Sequence, residues 1–132
     1  MRFHTAVNKF VWQACLGQPI TVWKTAMNQK RPYLDVDDAV RSILFIMENE
    51  LFNNEIYNVV TENATVEDIV QIIKTKILDV NVEFVESRIM NQLSYTVLSS
   101  KIISKGFKYR GNLERGLFNT IKLLNGTRTK LI

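Results

Sequence analysis

The sequence predicts an α/β domain, of an α+β-like kind, in which helices alternate with short strands. Apolar residues recur at three- and four-residue steps in several segments, which is typical of amphipathic helices. Short runs rich in β-branched and aromatic residues separate these segments and indicate strands. The strands are too few and too short for an independent doubly wound sheet, so a Rossmann domain is not predicted. The 132 residues, 46% of them apolar, suffice for one hydrophobic core.

The first part of the chain is predicted to form a helix and then a strand. A helix is predicted over 4–16. Its apolar face consists of Val7, Phe10, Val11, Ala14 and Cys15. Gly17 is suited to end this helix, and Pro19 follows soon after, as is common past a helix end. Residues 20–23 (ITVW) then form a short strand, and the polar residues 24–30 form a loop.

The next part is predicted to place a helix between two extended segments. An extended piece at 33–36 leads into a helix over 37–49, whose first turn is acidic and favours the helix dipole. Three aspartates are candidates for its N-cap: Asp35, Asp37 and Asp38. Capping is favoured over a hard-cation site formed by these residues. The apolar residues of this helix are predicted to face the core: Ala39, Val40, Ile43, Leu44 and Met47. A strand is predicted at 55–60, which is rich in β-forming residues.

A third helix is predicted to begin after Thr65, which fits the N-cap position ahead of two acidic residues. Its apolar face consists of Val66, Ile69, Val70, Ile73 and Ile77. A strand at 82–85 and an irregular segment at 86–98 follow.

The C-terminal part is predicted to be helical. A short helix at 99–105 ends at Gly106, and an amphipathic helix covers 113–124. Residues 125–132 are predicted to be a flexible tail, so that the domain itself covers 1–124.

Charge divides the chain into three segments. Residues 1–34 contain five Lys or Arg and no acid, whereas 35–86 contain twelve acids and three bases. Residues 87–132 contain nine bases and one acid. If the two basic ends meet in space, they form a positive surface that suits an anionic ligand.

Several classes of protein are disfavoured by what the sequence lacks. No apolar run is long enough to span a membrane, and the first residues do not resemble a secretion signal, so we expect a cytoplasmic protein. One cysteine, Cys15, and one histidine, His4, allow no internal disulfide and no ordinary Cys/His zinc site. Cys15 is predicted to be a small core residue.

No catalytic constellation is recognisable. The sequence contains no G-x-G-x-x-G turn, no P-loop and no G-x-S-x-G elbow. No tyrosine is followed by a lysine four residues later. We therefore predict no catalytic, metal-binding or cofactor-binding residue in this chain.

Four segments carry an ordered set of motifs. Residues 7–23 (VNKFVWQACLGQPITVW) and 29–40 (QKRPYLDVDDAV) are the first two. Residues 56–73 (IYNVVTENATVEDIVQII) and 82–117, which include SSKIISKGFKY and NLERGL, complete the set. Together they resemble the C-terminal substrate-binding part of the extended short-chain dehydrogenase/reductase family, the NAD-dependent nucleotide-sugar epimerases and dehydratases.

This resemblance implies a lobe that binds a nucleotide-diphosphate sugar and packs beside an N-terminal Rossmann domain of the same polypeptide. In such enzymes the Rossmann domain binds NAD(P) and supplies the Tyr-x-x-x-Lys pair, which agrees with their absence here. The complete enzyme would transiently oxidise a sugar hydroxyl by hydride transfer, with epimerisation or loss of water following.

The resemblance also implies substrate-binding residues. Arg31 matches an arginine that contacts the ligand diphosphate, and a guanidinium can bind phosphate bidentately. Arg88 matches a second such arginine, although the Pro and Gly that follow it in the family are missing here. Asn8 and Lys9 match positions near the nucleotide base, and Trp23 matches an aromatic or apolar residue beside it. Pro32 replaces the usual acid after Arg31, which leaves the exact sugar nucleotide open.

Two alternatives remain at this stage. The chain could be a free-standing, non-catalytic domain that binds a protein partner, with self-association through an exposed apolar face. A nucleic-acid-binding module is suggested by a pI of about 9.3. Against it, the basic residues do not cluster on one helix, and no known DNA- or RNA-binding motif is present. We therefore expect neither nucleic acid nor a membrane as a partner.

Overall fold

A computed structural model of the protein describes residues 5–86 and 93–128. Within these ranges it contains five helices and four strands. In chain order they are α1 (Ala6–Cys15), β1 (Ile20–Trp23), β2 (Arg31–Tyr33), α2 (Val36–Glu48), β3 (Glu62–Ala64), α3 (Val66–Lys74), β4 (Val82–Val85), α4 (Ser100–Ser104) and α5 (Leu113–Arg128). The predicted α/β class is confirmed, and strands β1 and β4 have the predicted bounds.

The strands form two small sheets. β1 and β4 pair in parallel, from Ile20 opposite Val82 to Trp23 opposite Val85. β2 and β3 pair antiparallel, with Arg31 opposite Ala64. Each sheet has two strands. The described residues therefore contain no doubly wound sheet, as the sequence predicts.

The core lies between β1 and the three helices α1, α3 and α5. Its buried members are Phe10, Val11, Ala14, Cys15, Ile20, Val22, Val66, Ile69, Val70, Ile73, Leu117 and Ile121. Cys15 is buried, as predicted. Thr65 caps α3 as predicted: its hydroxyl accepts the N–H of Asp68 at 3.1 Å, and the Asp68 carboxylate accepts the N–H of Thr65 at 2.8 Å.

The predicted orientation of the second helix is wrong. The apolar side chains of α2 are largely exposed: Val40 is 51%, Ile43 60%, Leu44 48% and Met47 56% exposed. The polar residues Asp38 and Ser42 are buried in their place. Hydropathy alone assigns the apolar face to the core, whereas the contacts of Asp38 described below turn that face outward.

The predicted strand at 55–60 is also wrong. The strand that pairs with β2 is Glu62–Ala64, and residues 55–60 belong to no helix or strand. Their contacts come instead from the C-terminal part of the chain. Glu55 forms an ion pair with Lys101, and the N–H of Val60 donates to the Tyr109 hydroxyl at 3.1 Å. Residues 55–60 include β-forming residues, but no strand in the described part of the chain pairs with them.

The last helix is longer than predicted. α5 continues to Arg128, four residues past the predicted end at Leu124, so the proposed tail at 125–132 begins as helix. Residues 129–132 lie outside the described part of the chain. Among the described residues, no helix is both long and apolar enough to cross a membrane.

The carboxylate of Asp38, fully buried, joins α2 to the segment ahead of α5. It accepts the backbone N–H groups of Arg110 at 2.8 Å and of Gly111 at 2.9 Å. The Thr61 hydroxyl donates to it at 2.9 Å, and the Arg41 guanidinium lies 3.2 Å away. The sequence offered Asp38 as a helix cap, but Asp35 performs that role by accepting the N–H of Asp37 at 2.9 Å.

These contacts determine how the Asp38 carboxyl ionises. Burial by itself raises its pKa, but the hydrogen bonds from Arg110, Thr61 and Gly111, with the charge of Arg41, outweigh burial. The pKa therefore lies below its usual value, and the folded protein favours the charged form.

We predict that Asp38→Asn lowers the free energy of unfolding at pH 7 by about 2 to 3 kcal/mol. The amide turns an NH₂ group toward N–H donors and leaves one of them unpaired. Because the folded pKa is depressed, the contribution of Asp38 is complete above the unfolded pKa of about 3.9 and is lost as pH falls through the folded pKa.

Urea denaturation at pH 7 and at pH 3 measures both effects, with Asp37→Asn as the exposed control. The difference in the free energy of unfolding between the native chain and Asp38→Asn should be smaller at pH 3 than at pH 7. If Asp38→Asn and Asp37→Asn lower the free energy of unfolding equally at pH 7, the role assigned to Asp38 is contradicted.

The junction between α2 and the segment ahead of α5 also requires a glycine at position 111. A Cβ on Gly111 would lie 2.3 Å from Asp38 Oδ2 and 2.5 Å from Asp35 Cβ. We predict that Gly111→Ala destabilises the protein by about 1 to 3 kcal/mol. Gly116 in α5 is the matched control, because its Cβ would meet nothing within 4 Å. Gly116→Ala should be neutral or stabilising by up to about 1 kcal/mol in thermal denaturation, since alanine favours a helix.

Candidate functional site

A cleft of about 320 Å³ opens between α1, the end of β1 and the start of β2. Its walls come from α1, β1, the 24–30 turn and β2, with one residue from α3. Its lining residues are Ala6, Lys9, Phe10, Thr21, Val22, Trp23, Ala26, Gln29, Arg31, Tyr33 and Val66. We call this space the basic cleft.

Three of the five predicted site residues meet in the basic cleft: Lys9, Trp23 and Arg31. Asn8 does not. It lines a second, wider cleft of about 680 Å³ that lies between α1, the end of β2 and α5. Asn8 and Lys9 are neighbours on α1 but line different clefts, because successive residues of a helix point about 100° apart. Arg88 lies outside the described residues.

Arg31 begins β2 and is half-buried. Its Nη1 donates to the carbonyl oxygens of Lys30 at 2.8 Å and Leu93 at 2.7 Å, and its Nη2 donates to Gln29 Oε1 at 2.9 Å. The guanidinium carbon lies 5.2 Å from the centre of the Tyr95 ring. These contacts fix the orientation of the guanidinium at the wall of the cleft.

Side chains of α1 occupy the free edge of β1. Because β4 covers one edge of β1, Thr21 presents its N–H and C=O on the other edge. Gln13 Oε1 accepts that N–H at 3.2 Å, and Gln13 Nε2 donates to Thr21 Oγ1 at 3.0 Å. Lys9 Nζ lies 3.5 Å from Thr21 O. Lys9 and Gln13 are one helical turn apart, so they reach the same strand residue.

Sequence reasoning missed Gln13, whose side chain is buried. The available signal was a polar residue at a position where the helical periodicity calls for an apolar one. Such a residue is buried only when it is hydrogen-bonded, and here its partner is Thr21.

The electrostatics of the basic cleft favour an anion. Among the described residues that line it, Lys9 and Arg31 are charged and none is acidic. Trp23 at the rim is 44% exposed, so its ring is available to a planar group. The described lining therefore offers two cations and the exposed ring of Trp23 within a small volume.

Tyr33 lines both clefts and was also missed by sequence reasoning. Burial raises the pKa of its phenol, and the nearby positive charge of Arg31 opposes that shift only in part. Tyr33 is therefore neutral at physiological pH and can both donate and accept a hydrogen bond.

The described residues contain no glycine-rich strand-to-helix turn of the kind that binds the pyrophosphate of NAD(P). A dinucleotide needs a glycine-rich strand-to-helix turn with free N–H groups for its pyrophosphate. The two junctions at which a strand runs directly into a helix, β2–α2 and β3–α3, are capped by their own side chains. Both also carry acids in the first helical turn, which repel phosphate. No cluster of three or more metal-binding side chains occurs in the described ranges.

Comparison with known proteins gives one family match. The sequence model of the NAD dependent epimerase/dehydratase family matches residues 3–59. The chloroplastic UDP-sulfoquinovose synthase of Spinacia oleracea is 35% identical over 73 residues, which are 54% of this chain and 15% of that protein.

The fold recurs in solved structures. The UDP-glucose 4-epimerase of Thermus thermophilus, solved with NAD, superposes with a TM-score of 0.77 at 21% identity, over 96% of this chain and 42% of that one. The UDP-glucuronic acid 4-epimerase of Bacillus cereus was solved with UDP-glucuronic acid and NAD. It superposes with a TM-score of 0.77 at 18% identity, over 96% of this chain and 41% of that one. This chain thus spans about two-fifths of the length of these structures.

Proposed function

Because this chain is related to the extended short-chain dehydrogenases/reductases, through the NAD-dependent epimerases and dehydratases, we propose that it binds a nucleotide-diphosphate sugar. In this proposal it is the substrate-binding lobe of such an enzyme. The observation that carries it is the basic cleft, whose described lining combines Lys9, Trp23 and Arg31 and includes no acidic side chain.

Each part of the cleft suits one part of such a ligand. The Trp23 ring offers a surface on which a nucleobase can stack, and a diphosphate complements the charges of Lys9 and Arg31. Hydrogen bonds to charged groups are worth more than neutral ones, so the diphosphate would supply much of the affinity. That binding energy would hold the attached sugar in place for a reaction elsewhere in the enzyme. We propose Arg88 as a second phosphate ligand and Asn8 as a more distant contact.

Catalysis and the cofactor are assigned to another part of the parent enzyme. The chain has no Tyr-x-x-x-Lys pair, and its strand-to-helix junctions are acidic. We propose that a Rossmann domain of the same polypeptide holds NAD(P) and the catalytic residues. The present chain would contribute substrate binding and no catalytic group.

The exposed face of α2 supports a partner of this kind. Val40, Ile43, Leu44 and Met47 lie largely exposed on one helix, although burying such side chains is worth about 1.5 to 3 kcal/mol each. Contiguous apolar surface of this kind marks an interaction site. We propose that the Rossmann domain covers this face in the parent enzyme. The same surface is what favours the second candidate function, a free-standing protein-interaction domain.

The test of the proposed function is the binding of UDP and of uridine to Arg31 variants. We predict that Arg31→Ala and Arg31→Lys each weaken UDP binding about tenfold or more, since lysine keeps the charge but loses the bidentate geometry. Uridine, which has no phosphate, should bind the variants and the native chain with similar affinity. Isothermal titration calorimetry measures all six affinities.

Arg110→Ala is the matched control, because the Arg110 side chain is exposed and lies outside both clefts. It should leave UDP affinity unchanged. An equal loss for uridine and UDP would assign Arg31 a structural role alone. No measurable binding of UDP to the native chain would contradict the proposed function.

The α2 face gives a separate prediction. Without a covering partner, the chain should self-associate through this face, so its mass in sedimentation velocity should rise with concentration. Ile43→Lys should abolish this rise, because it places a charge in the apolar surface. Gln71→Lys, at an exposed position on α3, adds the same charge and should leave the association intact. The same mass for all three chains at every concentration would contradict the docking role of α2.

A further inference from the structure

Residues 93–97, here called the strap, run beside the N-terminal end of β2 without joining a sheet. The N–H of Lys30 donates to Ser94 Oγ at 3.0 Å, and the carbonyl of Lys30 accepts the N–H of Tyr95 at 3.3 Å. The strap is thereby attached to the residue that immediately precedes Arg31.

Asn63 holds the far end of the strap. Its Nδ2 donates to the carbonyl of Val97 at 3.0 Å, and its Oδ1 accepts the N–H of Val97 at 2.9 Å. One amide side chain therefore satisfies both backbone groups of one residue, as a neighbouring strand would. Asn63 can do this because it lies in β3 opposite Pro32, within the small sheet that also contains Arg31.

The strap in turn contacts the Arg31 guanidinium on two sides. Leu93 accepts a hydrogen bond from Nη1 at 2.7 Å, and the Tyr95 ring lies 5.2 Å from the guanidinium carbon. A carbonyl fixes the direction of one N–H, and an aromatic ring favours the cation over its face. The position of the strap therefore sets the orientation of Arg31 at the wall of the basic cleft.

We propose that Asn63 is a positioning residue for Arg31: by pinning the strap at Val97, it holds the guanidinium ready for a phosphate-bearing ligand. This inference rests on the proposed function and adds to it a residue that does not line the cleft. An arginine held in place before binding loses less side-chain freedom when the ligand arrives. The role requires the donor and the acceptor of the amide together, so an aspartate cannot replace it.

The test is a double-mutant cycle on UDP affinity. Asn63→Ala should weaken UDP binding about three- to tenfold and leave uridine binding unchanged. Asn63→Asp keeps the shape and should give the same loss, because a carboxylate oxygen then faces the Val97 carbonyl. Asn58→Ala, at an exposed asparagine outside both clefts, is the control and should change neither affinity. In an Arg31→Ala background, Asn63→Ala should have no further effect, since its influence acts through Arg31.

Fully additive losses in the cycle would overturn the positioning role, as would an unchanged UDP affinity in both Asn63 variants. A second measurement needs no ligand: NMR relaxation of the Arg31 side-chain Nε–Hε group in the native chain and in Asn63→Asp. Increased motion in the variant supports the proposal, and identical relaxation overturns it. Failure of the native chain to bind UDP contradicts the proposed function, and the relaxation measurement then decides the positioning of Arg31 separately.

Discussion

Donors from three separate stretches of the chain converge on the buried carboxylate of Asp38. Arg41 comes from the same helix, Thr61 from the position just before β3, and the N–H groups of Arg110 and Gly111 from the turn before α5. A buried charge is tolerated only when it is paired in this way, so the fold must place these donors around the carboxylate. It turns one face of α2 inward and leaves the apolar face to the outside.

The contacts of Asp38 are also connected to the basic cleft. Thr61, fixed by Asp38 and by the N–H of Asp35 at 2.9 Å, precedes Asn63 by two residues. Asn63 holds the strap, and the strap contacts Arg31. Hydrogen bonds and two short stretches of backbone, 61–63 and 93–97, therefore connect the α2 junction to the guanidinium at the wall of the cleft. The other wall has an independent support, since Lys9 and Gln13 reach Thr21 directly from α1.

The chain thus presents two surfaces of opposite chemistry. The basic cleft has two cations, an aromatic rim and a neutral phenol, whereas the α2 face is apolar. An anionic ligand suits the first surface and a packed protein domain suits the second. Both surfaces agree with the relationship to nucleotide-sugar epimerases and dehydratases. This chain spans about two-fifths of the length of the two solved structures compared above. No residue of the α2 face is among the described residues that line the basic cleft, so the proposed ligand and the proposed partner would use different residues.

The sequence by itself determined part of the local structure. Periodicity and end signals predicted α1, the Thr65 cap and the strands at 20–23 and 82–85, because neighbouring residues decide such features. The family resemblance indicated Lys9, Trp23 and Arg31, which line one cleft, as well as Asn8, which lines the other. It also indicated Arg88, which lies outside the described residues. Only the tertiary structure decided the orientation of α2, the failure of 55–60 to form a strand, and the roles of Gln13, Asn63 and Gly111. Each of these depends on a partner between 8 and 73 residues away, such as Thr21, Val97 or Asp38, and residue type alone does not reveal it.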